Sequence, residues 1–83
     1  MGQWTVYVLR CKDDSLYTGV TTDIERRIDE HNNDNKLAAS YTKSRRPVKL
    51  VYSESCDDRS QALKREMGIK RLTKKQKEAL ISK

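Results

Sequence analysis

The chain has little of several things: one proline, three glycines, two cysteines and a single histidine in 83 residues. Cys11 and Cys56 cannot build a disulfide framework, and they lack the spacing of a metal finger. Both stand near the ends of apolar runs, where free cysteine behaves as a small hydrophobe. One histidine excludes a two-histidine metal motif, and neither a phosphate-cradling glycine loop nor a Ser-His-Asp or Cys-His nucleophile set is visible. Apolar residues make up only 35% of the chain, and no run is long enough to span a bilayer. Arg10, Lys12, Asp13 and Asp14 cut short the only early apolar run, which argues against a secretory leader and for a cytoplasmic protein. Internal repeats, linkers and low-complexity segments are absent from the sequence.

What is abundant is charge. Charged residues reach 36%, with a net charge of +6, and such a surface favours polyanions, of which nucleic acid is the commonest. A chain of this length reads as one domain over residues 1–83. It buries about 60–65% of its unfolded surface, enough for one small core.

Residues 4–11 are rich in Val, Tyr and Trp with apolar groups on both faces, which predicts a central strand covered on two sides. Residues 12–15 make a turn, and 16–20 return as the second strand of a hairpin. Thr22 with Glu25 three residues later forms a capping box for a helix that runs to about His31 and dissolves in Asn32-Asn33-Asp34-Asn35. Residues 36–46 read as a basic loop ended by Pro47, and 48–53 as a third strand. Asp57 or Asp58 caps a helix to about Arg71, and Thr73 with Gln76 opens a last helix to about Ser82. The order ββαβαα predicts an α+β fold in which a small sheet carries helices.

Some residues are not explained by packing alone. On the first helix His31 falls about 20° and Arg27 about 60° beyond Ile24, at the edge of the apolar arc. On the next helix Glu66 projects about 40° from Ala62 and about 60° from Leu63, inside the apolar arc. An unpaired carboxylate there costs several kcal/mol, so it must find a cation such as Arg27 or Lys70, a proton, or a cleft where it can hold a divalent metal. Tyr7 and Tyr17 lie ten residues apart on paired strands. Either packs the sheet or serves chemistry. Tyr, Tyr, Arg, His and Glu together suit metal-assisted hydrolysis of a phosphodiester. Lys43, Arg45, Arg46 and Lys49 offer contacts to backbone phosphates, as does a second run of Lys64, Arg65, Lys70, Arg71, Lys74, Lys75 and Lys77.

In this arrangement the chain resembles the GIY-YIG nuclease superfamily, in particular its small stand-alone members. Thr5-Val6-Tyr7 stands where the family has Gly-Ile-Tyr, and Tyr17-Thr18-Gly19 where it has Tyr-Ile-Gly. Arg27 and His31 match the helix Arg and His, and Glu66 matches the metal-binding Glu; Tyr41-Thr42 and Arg46-Pro47-Val48 extend the likeness. The resemblance implies a three-stranded antiparallel sheet flanked by helices and a site on one concave face. It implies a single Mg²⁺ or Mn²⁺ held by Glu66, Arg27 facing the scissile phosphate, Tyr7 or Tyr17 assisting the nucleophile, and His31 moving a proton or orienting Tyr7. The expected partner is DNA, possibly branched or nicked, with RNA left open and no membrane. Thr5 replaces the first family Gly, and no Asn follows Asn35 where many catalytic members have one. A nucleic-acid-binding module without catalysis is therefore the alternative function on the same scaffold.

Overall fold

A computed structural model describes residues 3–82. Strands β1 (Trp4–Arg10), β2 (Leu16–Thr21) and β3 (Lys49–Cys56) form one antiparallel sheet in the order β2-β1-β3. The strand with apolar residues on both faces is therefore the central one, as its pattern requires. The β1–β2 turn is closed by Cys11 N–H to the Ser15 carbonyl at 2.8 Å and Asp14 N–H to the Cys11 carbonyl at 2.9 Å. Asp14 sits at φ 71°, a left-handed conformation that a short polar side chain tolerates. Against β3 the register slips by one residue between Val8 and Leu9, so Val51 has no partner on β1.

Of the four helices, α1 (Ile24–Asn33) and α2 (Ser40–Lys43) lie between β2 and β3 in the chain, and α3 (Arg59–Lys70) and α4 (Lys74–Ile81) follow β3. Alternation along β1 divides the core in two. Val6 and Val8 point to α3, where they join Ala62 and Ile69, with Trp4, Val20, Leu80 and Ile81 packed around them. Arg59 lies 6.0 Å from the centre of the Trp4 ring. Tyr7, Leu9 and Cys11 point the other way and join Val48, with Tyr17, Ile24 and Ile28 against them.

Three expectations about local structure need correction. The capping box at Thr22 and Glu25 does not form: Asp23 is the N-cap of α1 and accepts the Arg26 N–H at 3.1 Å. The Thr21 hydroxyl takes the Asp23 N–H at 3.1 Å, which places the carboxylate at the positive end of the helix. The basic loop is not all loop, since residues 40–43 form α2. The helix boundary at His31 also moves. Asn32 stays helical and clips the entry to β3, its side chain bonding Val48 N–H at 2.8 Å and the Val48 carbonyl at 3.0 Å. Elsewhere Asp58, not Asp57, caps α3, and the Thr73–Gln76 capping box opens α4 as its spacing predicts.

Gly68 stands in the exposed part of α3, and a Cβ added there would meet nothing within 4 Å. Gly68→Ala should therefore raise stability by about 0.5–1 kcal/mol, read as a higher urea midpoint at unchanged slope.

Candidate active site

Tyr7 is at the centre of the sheet, opposite Gly19 of β2. Its ring lies across that glycine: a Cβ on Gly19 would stand 2.5 Å from the Tyr7 hydroxyl oxygen. The glycine is thus the space in which the phenol rests. Tyr17, two residues earlier on β2, has its ring centre 6.5 Å from that of Tyr7. One turn separates Arg27 from His31 on α1, so both reach the same face. His31 is fully buried, with its ring 6.0 Å from Tyr7 and 5.3 Å from Tyr17.

A hydrogen-bonded line runs through these groups. The Tyr7 hydroxyl lies 2.9 Å from His31 Nε2, and His31 Nδ1 lies 2.9 Å from Thr42 Oγ1 on α2. Burial pushes the Tyr7 phenol up to about 12; Tyr17 adds to this and Arg27 opposes it. Burial, helped by the charge of Arg27, lowers His31 to about 4, so the ring is neutral at pH 7. This has a consequence for acid stability. Between pH 6.5 and 4 the unfolded chain binds a proton at His31 that the folded chain refuses. Folding stability should be complete above pH 6.5 and fall by about 3 kcal/mol as the pH drops to 4. The loss should shrink in His31→Gln, as measured by urea unfolding across that range.

Arg27 donates to Glu30 Oε1 at 2.8 Å and to the Leu37 carbonyl at 2.7 Å, and its side chain is 24% exposed. It is held in place, and its charge acts on Tyr7 while it still reaches the surface. Glu66 sits between the buried Ala62 and Ile69 on α3, with only 16% of its side chain exposed. Its cation is Lys70, at 3.5 Å, rather than Arg27. The negative charge of Glu66 also acts on the Tyr7 phenol. Tyr7, Tyr17, Arg27 and His31 thus lie together on one side of the sheet, while Glu66 stands on α3, where its charge still acts on the Tyr7 phenol.

Among the described residues no cluster of three or more His, Cys, Asp or Glu side chains exists. One oxygen donor of the site, Glu66, excludes a zinc-type protein cage. It fits a hard divalent ion that keeps water and substrate phosphate oxygens as its other ligands, as Mg²⁺ does.

The basic residues divide into two groups. Lys43 and Lys49 are exposed. Arg45 bonds Asp13 at 3.1 Å and the Tyr41 carbonyl at 2.9 Å, and its guanidinium lies 3.9 Å from the centre of the Tyr41 ring. Tyr41 in turn stacks on Tyr17 at 5.9 Å. Arg46 has another task than the phosphate contact expected of it. It donates to the carbonyls of His31 and Asp34 and to Asn35 Oδ1 at 2.7, 3.1 and 2.9 Å, and so clamps the C-terminal end of α1. Lys70 pairs with Glu66, Arg65 with Glu54 at 2.7 Å, and Lys74 with Asp14 at 3.1 Å. In the sequence Thr42 and Gly19 stand only as parts of motifs. The roles of both depend on contacts across the fold. Among the described residues no helix is long and apolar enough to cross a membrane.

Comparisons with known proteins place this geometry. The family model described as the GIY-YIG catalytic domain matches residues 3–79. The chain is 56% identical to the UPF0213 protein DP2720 of Desulfotalea psychrophila, over 94% of this chain and 70% of that one. It is 52% identical to the UPF0213 protein SSP2268 of Staphylococcus saprophyticus, over 99% and 98% of the two chains. The solution NMR structure of the UPF0213 protein BH0048 from Bacillus halodurans superposes with a TM-score of 0.61 at 40% identity, covering 96% of this chain and 83% of that one. With that family model matching residues 3–79 and relatives more than half identical over nearly the whole chain, this chain belongs to the GIY-YIG family.

Proposed function

We propose that this protein is an endonuclease that hydrolyses phosphodiester bonds of DNA, dependent on one Mg²⁺ or Mn²⁺ and directed by branched or nicked structure rather than by base sequence. The observation that carries the reading is the buried hydrogen bond between Tyr7 and His31, set beside a tethered arginine and a carboxylate that packing alone does not demand. Glu66 holds the ion, which when bound supplies positive charge against the phosphate oxygens. Arg27 offsets the charge that builds on the phosphate. Tyr7 assists the attacking water. The water gives a proton to the phenol oxygen as the phenol proton moves to His31 Nε2, the water oxygen bonds to phosphorus, and the ester P–O bond breaks. The leaving oxygen takes its proton from solvent. The 2.9 Å contact to Nε2 gives the phenol proton its acceptor.

Lys43 and Lys49 contact backbone phosphates without reading bases, and Arg45 joins them through the exposed part of its guanidinium. The free state of both cysteines agrees with a cytoplasmic setting. The test is incubation with nicked, branched and single-stranded DNA and with RNA, with Mg²⁺, with Mn²⁺ and with a chelator. Cleavage of DNA that stops in chelator supports the reading, and binding should weaken steeply with salt. Salt-sensitive binding without cleavage under either metal would overturn it in favour of a binding module.

A further inference from the structure

On the side away from Tyr7, the His31 ring bonds a residue of α2 that takes no part in the proposed chemistry. Thr42 is fully buried on α2, eleven residues from His31. Its hydroxyl lies 2.9 Å from the Ala39 carbonyl, an oxygen that can only accept and that also takes the Thr42 and Lys43 N–H at 3.0 and 3.1 Å, the hydroxyl making the shortest of the three contacts. A threonine hydroxyl has one proton. Donated to Ala39, that proton is not available to His31, so toward the ring Thr42 can only accept. The neutral ring must then carry its proton on Nδ1, leaving Nε2 bare to receive the Tyr7 hydroxyl at 2.9 Å.

The opposite tautomer fits worse. Thr42 would donate to Nδ1, and Nε2 would donate to Tyr7. The Tyr7 hydroxyl proton would then be left at 1% exposure without an acceptor, because the other group acting on that hydroxyl, the Arg27 guanidinium, can only donate. A buried donor without an acceptor is disfavoured.

We propose that Thr42 is a positioning residue that fixes the His31 tautomer and so makes the histidine the acceptor, not the donor, of the Tyr7 proton. This sets the direction of proton movement in the site: outward from the cleft, through the phenol, to Nε2. Held the other way, Nε2–H would point at the phenol oxygen and Tyr7 would have no outlet for its proton. The relay depends on a short helix from the basic segment, so α2 is a part of the active centre that touches no reacting atom. The inference deepens the nuclease reading, and its rate arm rests on that reading.

The test has a structural arm that needs no activity. Long-range ¹⁵N–¹H NMR of the ring of His31, the chain's one histidine, should show a pyrrole-type Nδ1 and a pyridine-type Nε2 at pH 7. Thr42→Ser should keep that pattern, and Thr42→Val should lose it through mixed tautomers. In the DNA cleavage assay Thr42→Val should be about 10- to 100-fold slower at unchanged DNA affinity, with Thr42→Ser restoring the rate to within a few-fold. A wild-type ring protonated at Nε2 overturns the proposal, and so does a Thr42→Val ring still protonated only at Nδ1. Should Thr42→Val fail to fold, the wild-type and Ser spectra decide. If wild type cleaves nothing, the nuclease reading falls alone and the tautomer is still read.

Discussion

Replacing Glu66 by Gln should lower metal-dependent cleavage by at least about 10²–10³-fold while leaving the protein folded. Gln keeps the volume of the side chain between Ala62 and Ile69 and removes only the charge that would hold the ion. The fold should scarcely notice. The one ion pair lost, to Lys70 at 3.5 Å and within one helical turn, is of a kind worth about 0.3–0.5 kcal/mol. The measurement is initial cleavage rate against Mg²⁺ and Mn²⁺ concentration, with thermal melting beside it. A rate equal to wild type would mean that the activity comes from a contaminant, and the nuclease reading would lose its support. Removal of the ion by chelator should reproduce the variant's rate in the wild-type protein.

Gly19→Ala should damage both stability and cleavage, through a contact that a sequence motif alone does not reveal. The new Cβ would lie 2.5 Å from the Tyr7 hydroxyl oxygen and 2.6 Å from the ring carbon that bears it. The phenol cannot simply swing aside, because Tyr7 is 1% exposed at the middle of the central strand and is bonded to His31. Forcing an extra methyl into such packing costs about 1–3 kcal/mol. The displaced hydroxyl would also leave His31 Nε2, so cleavage should fall further than the loss of folded protein accounts for. Urea unfolding gives the first effect, and the rate per folded molecule gives the second. A Gly19→Ala protein as stable and as active as wild type would show that the Tyr7 ring has freedom that this packing denies it. Gly68→Ala, open on its outer side, is the natural control of opposite sign.

The parts of this molecule that local chemistry specifies could be read from the chain. Alternating apolar residues on both faces of Trp4–Arg10 gave the central strand, and the Thr73–Gln76 spacing gave the start of α4. Helical geometry put His31 at the edge of the apolar arc and Glu66 within it, and both are largely covered in the structure. What local chemistry does not specify was missed. Four residues make up α2, too few to show a helical period. Arg46 reads as one more surface cation until its three bonds to the end of α1 are seen, and those bonds exist only in the folded chain. Asp23, rather than Thr22, caps α1, and its own N–H is held by the Thr21 hydroxyl, a neighbour that the capping-box spacing does not include. Thr42 is distant from His31 in sequence, and no spacing rule links a threonine to a tautomer.

The chain has one tryptophan, and Trp4 belongs to the half of the core opposite the tyrosines. Its indole therefore gives a built-in fluorescent gauge of the α3 layer, on the other side of the sheet from Tyr7 and Tyr17, although Glu66 stands on that same helix. For each substitution discussed, emission can report whether the protein is folded while product formation is followed independently. A variant that loses turnover with its indole signal intact has been injured in its chemistry, and one that loses both has been injured in its architecture.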